Sequence, residues 1–123
     1  MKKKTLTRGL LAAAVLAGGV AAAVPVGAQT GTQGCPLGAL CLYEDIAFGG
    51  PLVILTRNSS YVGDDINNRA SSVFNNTDLP VILYSERDFA GFSICLLSGM
   101  GFGNLDTVGL DNTISSWKKV NNC

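Results

Sequence analysis

The chain runs to 123 residues, with nine basic and nine acidic side chains and no histidine. A balanced charge without basic runs in its main body gives no footprint for nucleic acid. Without imidazole the usual general base is missing, and neither a Ser-His-Asp nor a Cys-His device can be assembled.

The first element is a leader. Lys2, Lys3, Lys4 and Arg8 form a basic start, Leu10 to Val24 is an apolar run, and Val26-Gly27-Ala28 offers small residues before a cut at Gln29. Charge, length and cleavage site read as a secretory signal peptide over residues 1–28. A membrane anchor is the alternative. The run contains Gly18-Gly19 and stops at Pro25, short of the roughly 20 apolar residues a spanning helix needs. The expected product is a secreted domain over residues 29–123, with no membrane attachment once the leader is gone. It keeps five basic and nine acidic residues, a net charge of 5 − 9 = −4. That charge suits a cation-binding protein and is equally an ordinary solubilising charge.

A domain of this size has a thin core, and small exported domains add covalent staples. Cys35, Cys41, Cys95 and Cys123 permit three pairings. The favoured one closes a short loop through Cys35–Cys41 and ties the C-terminus down through Cys95–Cys123. Zinc is the competing use of four cysteines, but no CxxC spacing or histidine supports it.

Beyond the first disulfide loop, short apolar runs alternate with turn clusters. Leu40 to Tyr43, Leu52 to Leu55, Val73-Phe74, Val81 to Tyr84, Phe92 to Leu97 and Trp117 to Val120 read as strands. Asn58 to Ser60, Gly63 to Asp65, Asn75 to Asp78 and the Gly/Met run Ser98 to Gly103 read as connections. Several short strands with turns between them predict an all-β sandwich.

The strands repeat. Tyr43, Phe48 and Gly50 recur 41 residues later as Tyr84, Phe89 and Gly91. The hexad Asn67-Asn68-Arg69-Ala70-Ser71-Ser72 recurs 44 residues later as Asp111-Asn112-Thr113-Ile114-Ser115-Ser116, so the second unit is three residues longer. The Gly-rich run is the natural place for the insertion. Repetition at this period marks a duplicated supersecondary unit. Asn, Asp and Ser are ordinary turn residues, yet their short oxygen side chains are also what a hard cation prefers.

The two ordered motifs in duplicate resemble the βγ-crystallin Greek key in its Ca²⁺-binding microbial form. The opening Cys35-Pro36-Leu37-Gly38-Ala39-Leu40-Cys41-Leu42-Tyr43-Glu44-Asp45 is similar to secreted bacterial βγ-crystallin-like proteins classed as metalloproteinase inhibitors. The resemblance implies two Greek keys, over about 40–78 and 80–121, with each Tyr packed over a folded-back hairpin. It implies two Ca²⁺ sites where the loops of the two units cross. Asn67, Asn68, Asp111 and Asn112 are the side-chain candidates, with hydroxyls from Ser71 and Ser115. Carbonyls at Arg69 and Thr113, and near Glu44 and Ser85, would complete the shells. The sites should be unequal, since the first hexad has no carboxylate and includes Arg69.

The resemblance points to a binding protein, not an enzyme: a monomeric inhibitor of a secreted metalloproteinase. The alternative is a calcium-stabilised structural, cell-wall or toxin-like module without inhibitory activity. The inhibitory-loop candidate is Cys95-Leu96, a large aliphatic residue after a disulfide-held cysteine. The competing reading makes the same segment a core strand.

Overall fold

The repeat emerges as two β-hairpins, each followed by a short returning strand, in a computed structural model that describes residues 34–123. The expected leader over residues 1–28 lies outside the described residues. β1 (Leu40–Asp45) and β2 (Gly49–Leu55) form the first hairpin, and β3 (Ser72–Asn75) lies beside β1. β4 (Val81–Glu86) and β5 (Ala90–Leu96) form the second, with β7 (Ser116–Lys119) beside β4. Between β5 and β7 come a two-residue strand, β6 (Gly101–Phe102), and a 3-10 turn over Leu105–Val108. The antiparallel sheets run in the orders β2-β1-β3-β6 and β5-β4-β7.

The units pair with each other in both directions. β6 of the second unit pairs with β3 of the first, placing Val73 opposite Phe102. Ser59 of the first unit bridges Trp117 of the second, with hydrogen bonds of 3.0 Å in both directions. The first sheet therefore takes its edge strand β6 from the second unit, while the second sheet, built from second-unit strands, receives a single bridge from Ser59 of the first.

β6 corrects the expectation that Ser98 to Gly103 is only a connection. A Cβ on Gly101 would stand 2.8 Å from the Val73 carbonyl oxygen and 3.1 Å from the Phe48 ring. Glycine is there to let two backbones approach, a use that looks like a loop in sequence. The insertion is also divided. Equivalent residues lie 41 apart at Leu55 and Leu96, 43 apart at Ser59 and Phe102, and 44 apart at Ile66 and Leu110. Two extra residues enter the turn before β6, and the third enters at the 3-10 turn.

β1 reads as an unbroken apolar run because both its faces are covered. Leu40 and Leu42 join the core between the sheets, with Val73, Leu83, Ile114 and Trp117. Cys41 and Tyr43 point the other way, into a smaller cluster with Cys35, Ala39 and Phe74. The disulfides are Cys35–Cys41 and Cys95–Cys123, each with Cα atoms 5.9 Å apart. That is the favoured pairing.

Candidate metal centre

Each hexad follows a folded hairpin, and the hairpin places it. Ala47 and Phe48 take φ of 57° and 60°, and their counterparts Asp88 and Phe89 take 59° and 60°. Two successive non-glycine residues in the left-handed region are strained, so other groups must hold each bend. Tyr43 meets Phe48 edge-on with ring centroids 5.7 Å apart, and Tyr84 meets Phe89 at the same distance. Gly50 sits at φ 75° where a Cβ would fall 2.6 Å from an Asp45 carboxylate oxygen.

The last serine of each hexad completes the bend. Ser72 Oγ donates to the Asp45 carbonyl at 2.6 Å and accepts the Phe48 N–H at 2.9 Å. Ser116 repeats this with Glu86 at 2.6 Å and Phe89 at 3.0 Å. Both serines are fully buried. Sequence reasoning assigned neither a role. The sequence carried no signal for either role, because the Phe48 and Phe89 N–H groups that the serines satisfy are turned away from the ladder only in the folded hairpin.

The preceding serines mark the other side of each loop. Ser71 N–H donates to the Tyr43 carbonyl at 2.8 Å, and Ser115 N–H to the Tyr84 carbonyl at 2.9 Å. The loops then cross. Asn68 N–H donates to the Ile114 carbonyl at 3.2 Å, and Asn112 N–H to the Ala70 carbonyl at 2.9 Å. Asn68 and Asn112 are both left-handed, at φ 59° and 57°, a conformation asparagine tolerates better than most residues. Across this crossing the Ser115 hydroxyl lies 3.2 Å from Asn68 Oδ1 and 3.4 Å from the Thr113 carbonyl oxygen. Three oxygens from two hexads thus converge.

The first positions of the hexads share another property. Asn67 Oδ1 and Asp111 Oδ1 are buried without a hydrogen-bond partner, as is Thr113 Oγ1. The fourth such atom among the described residues is Trp117 Nε1. Three of the four orphaned buried side-chain polar atoms among the described residues therefore lie in the two hexads. A buried carbonyl or carboxylate oxygen left unpaired is costly, and a hard cation is one group that would satisfy it.

The two halves are not equal. Arg69 Nη1 lies 3.9 Å from Glu44 Oε2, an ion pair at the position where the second unit has Thr113 and Ser85. Ser85 Oγ accepts the Phe92 N–H at 2.9 Å and so is engaged in its hairpin. Asp111 Oδ2 accepts from Asn112 Nδ2 at 3.2 Å. Asp64 accepts the Tyr61 hydroxyl, which raises that phenol above its ordinary range.

Cys95 and Leu96 lie away from the hexads, at the far end of β5. Leu96 pairs with Val81 and is 3% exposed, so its side chain belongs to the core. Leu97, the next residue, is 54% exposed. Asn75 fixes the segment by donating from Nδ2 to the Leu96 carbonyl at 3.0 Å.

The architecture is that of βγ-crystallins. A chain solved in work on the evolution of the eye-lens βγ-crystallin domain fold is 25% identical, with a TM-score of 0.66 over 72% of this chain and 91% of that one. A βγ-crystallin from Ciona intestinalis is 27% identical, with a TM-score of 0.60 over 68% of this chain and 100% of its own. An archaeal βγ-crystallin, at 24% identity and a TM-score of 0.59 over 69% of this chain and 100% of that one, shares the fold. Among curated proteins no sequence matches. The family model for peptidase inhibitor family I36 matches residues 28–96, more than half of the chain and up to the end of β5. With a βγ-crystallin sandwich of two Greek keys and this match, the chain belongs to peptidase inhibitor family I36.

Proposed function

We propose that this chain is an exported inhibitor of metallopeptidases, monomeric and acting by binding, not by catalysis, with calcium held between its hexads. Membership of a peptidase inhibitor family is the observation that carries the inhibitory half. Export is supported by the basic and apolar leader over residues 1–28 and by cysteines that are all paired among the described residues. Residues 29–123 would then form the mature domain.

The inhibitory segment in this reading is Cys95-Leu96 with its neighbour Leu97. The disulfide and Asn75 hold its backbone, Leu96 anchors it in the core, and Leu97 is the side chain a partner meets. An inhibitor that holds its contact segment rigid avoids the ordering cost of binding.

The calcium half rests on the crossed loops and their orphaned oxygens. Asn67, Asn68, Arg69 and Ser71 with the Glu44 strand end, and Asp111, Asn112, Thr113 and Ser115 with the Ser85 strand end, would hold two ions. Bound calcium would supply positive charge to oxygens that have no donor of their own. These residues cross-link the two units by holding one loop against the other.

One experiment tests both halves. The secreted product is stripped with chelator, titrated with calcium by calorimetry, and assayed against thermolysin with and without calcium. Two binding events in the range of about 10⁻⁶ to 10⁻³ M are expected, together with inhibition. A silent titration up to about 10 mM would remove the calcium reading. Calcium binding without inhibition would leave the second reading, a calcium-stabilised extracellular module.

A further inference from the structure

The end of the sandwich opposite the hexads carries an apolar projection with no role in the fold. The hexads adjoin the first residues of β3 and β7, where Ser72 and Ser116 pair with Tyr43 and Tyr84. At the other end of β3, Asn75 and Asn76 meet the Cys35–Cys41 loop and the turn before β6. The Cys35–Cys41 loop presents Leu37, 91% exposed and the most exposed large apolar side chain among the described residues.

Leu37 stands at the corner of a tight turn. Ala39 N–H donates to the Pro36 carbonyl at 3.3 Å, and Gly38 follows Leu37 at φ 90°. A turn of this type needs glycine at that position. The tip is held on all sides. Cys35–Cys41 closes its base, Gly38 N–H donates to the Asn76 carbonyl at 2.7 Å, and Asn76 N–H donates to the Ala39 carbonyl at 2.9 Å. Asn76 Nδ2 adds a bond to the Cys35 carbonyl at 3.1 Å. A leucine on such a base loses little further backbone freedom when it is buried by a partner.

The surroundings say what kind of partner. Across a cleft of about 480 Å³, lined also by Asp78 and Lys119, lies the turn before β6 with Ser98 and Gly99. Leu97 and Met100 flank that turn at 54% and 41% exposure. The tip therefore faces, across that cleft, the turn that follows the proposed inhibitory segment. A single branched aliphatic side chain on a convex, braced tip fits a concave pocket that receives one side chain. A flat apolar face would leave its sides wet. The backbone at Leu37-Gly38 is turned, not extended, so the tip is shaped as a plug and not as a strand to be cut.

We propose that Leu37 is a second anchor. The Pro36-Leu37-Gly38 tip enters an apolar side-chain pocket on the peptidase that the Cys95–Leu97 segment engages. This rests on the inhibitory reading above, and the cleft separates the two points of contact.

The test uses the secreted product of the full chain and thermolysin as the probe, with inhibition constants for wild type, Leu37→Asp and Leu37→Met. Leu37→Asp should weaken inhibition about tenfold or more, as for an anchor side chain. It should melt with wild type, and Leu37→Met should stay close to wild type. If wild type inhibits and Leu37→Asp inhibits within about threefold of it, the second anchor is refuted while the inhibitory reading stands. If wild type does not inhibit, the inhibitory reading falls and takes the anchor with it. A Leu37→Asp protein with a lowered melting temperature is replaced by Leu37→Ala and judged on the same scale.

Discussion

Two adjacent serines, Ser71 and Ser72, should fail in different ways when changed. Ser72 is fully buried, and its hydroxyl both donates to the Asp45 carbonyl and accepts the Phe48 N–H. Ser72→Ala removes two hydrogen bonds, each contributing about 1 kcal/mol net, and leaves a partly buried donor and acceptor unpaired at about 1–3 kcal/mol for a fully buried group. It also removes what holds Ala47 and Phe48 in the left-handed region. A loss of about 2–4 kcal/mol follows. At about 4–8 °C per kcal/mol for a domain of this size, the melting temperature should fall by at least about 8 °C. Ser71 lies on the other side of the loop, and its backbone N–H bond to Tyr43 survives substitution. Ser71→Ala should therefore melt close to wild type without calcium but lose part of the calcium-induced stabilisation.

The assay is calorimetric melting of chelator-stripped protein, repeated with calcium. Full occupancy at about 100 times the dissociation constant adds roughly 2.7 kcal/mol per site. Ser72→Ala should start lower and rise by nearly the wild-type amount. Ser71→Ala should start near wild type and rise less. A Ser72→Ala protein melting within about 2 °C of wild type would refute the clamp, because two partly buried hydrogen bonds that hold a strained bend cannot vanish at so little cost.

Further outcomes follow from the same geometry. Arg69→Thr copies the second hexad and frees Glu44 from its ion pair, so the weaker calcium site should tighten severalfold; an unchanged calorimetric titration would mean that Arg69 lies clear of the ion. Burial raises the Tyr43 phenol above its ordinary value of 10.0. The fold thus favours the neutral form: that contribution is complete below pH 10.0 and is lost as pH rises toward the folded value, so Tyr43→Phe should flatten the alkaline fall in melting temperature. Leu96→Asp puts a carboxylate where a side chain is 3% exposed, and should prevent cooperative melting or lower it drastically. Leu97→Asp should fold normally and weaken inhibition, which melting and an inhibition assay measure on one sample.

Duplication made most of this fold legible. The 41-residue spacing of Tyr43, Phe48 and Gly50 with Tyr84, Phe89 and Gly91 identified two hairpins, and the strand runs fell where the strands are. The disulfide pairing was legible too, because one pair closes a short loop and the other secures the chain end. What stayed hidden involves partners that are remote in sequence. Nothing in Ser98 to Gly103 announces that Gly101 and Phe102 pair with Val73 and Phe74, since the pairing depends on a close approach that glycine permits but does not advertise. The roles within Ser71-Ser72 were hidden for a similar reason. Two identical neighbours are separated only by which one faces a hairpin bend more than twenty residues upstream. Which leucine near the second disulfide is exposed was not legible either: Leu96 and Leu97 are the same residue type, and the strand's alternation decides which one is buried.

The pairing between the units would let such a small domain keep the two proposed functions apart. If each Greek key were closed on itself, the units could slide against each other and a site between their loops would have no fixed shape. With β6 lent in one direction and Ser59 in the other, the start of β3 is fixed relative to the start of β7. The crossing of Asn68 and Asn112 is then set by backbone hydrogen bonds before any ion arrives. The same two strands end at the opposite pole, among both disulfides, Leu37 and Leu97. Calcium in this scheme braces the pole where the loops have orphaned oxygens, while covalent bonds brace the pole that meets a partner. Contacts at the second pole do not need the ion to be shaped, because Cys35–Cys41, Cys95–Cys123 and the bonds of Asn75 and Asn76 already hold them. Under the proposed function, calcium would therefore act on the stability of the folded chain more than on its affinity for a target.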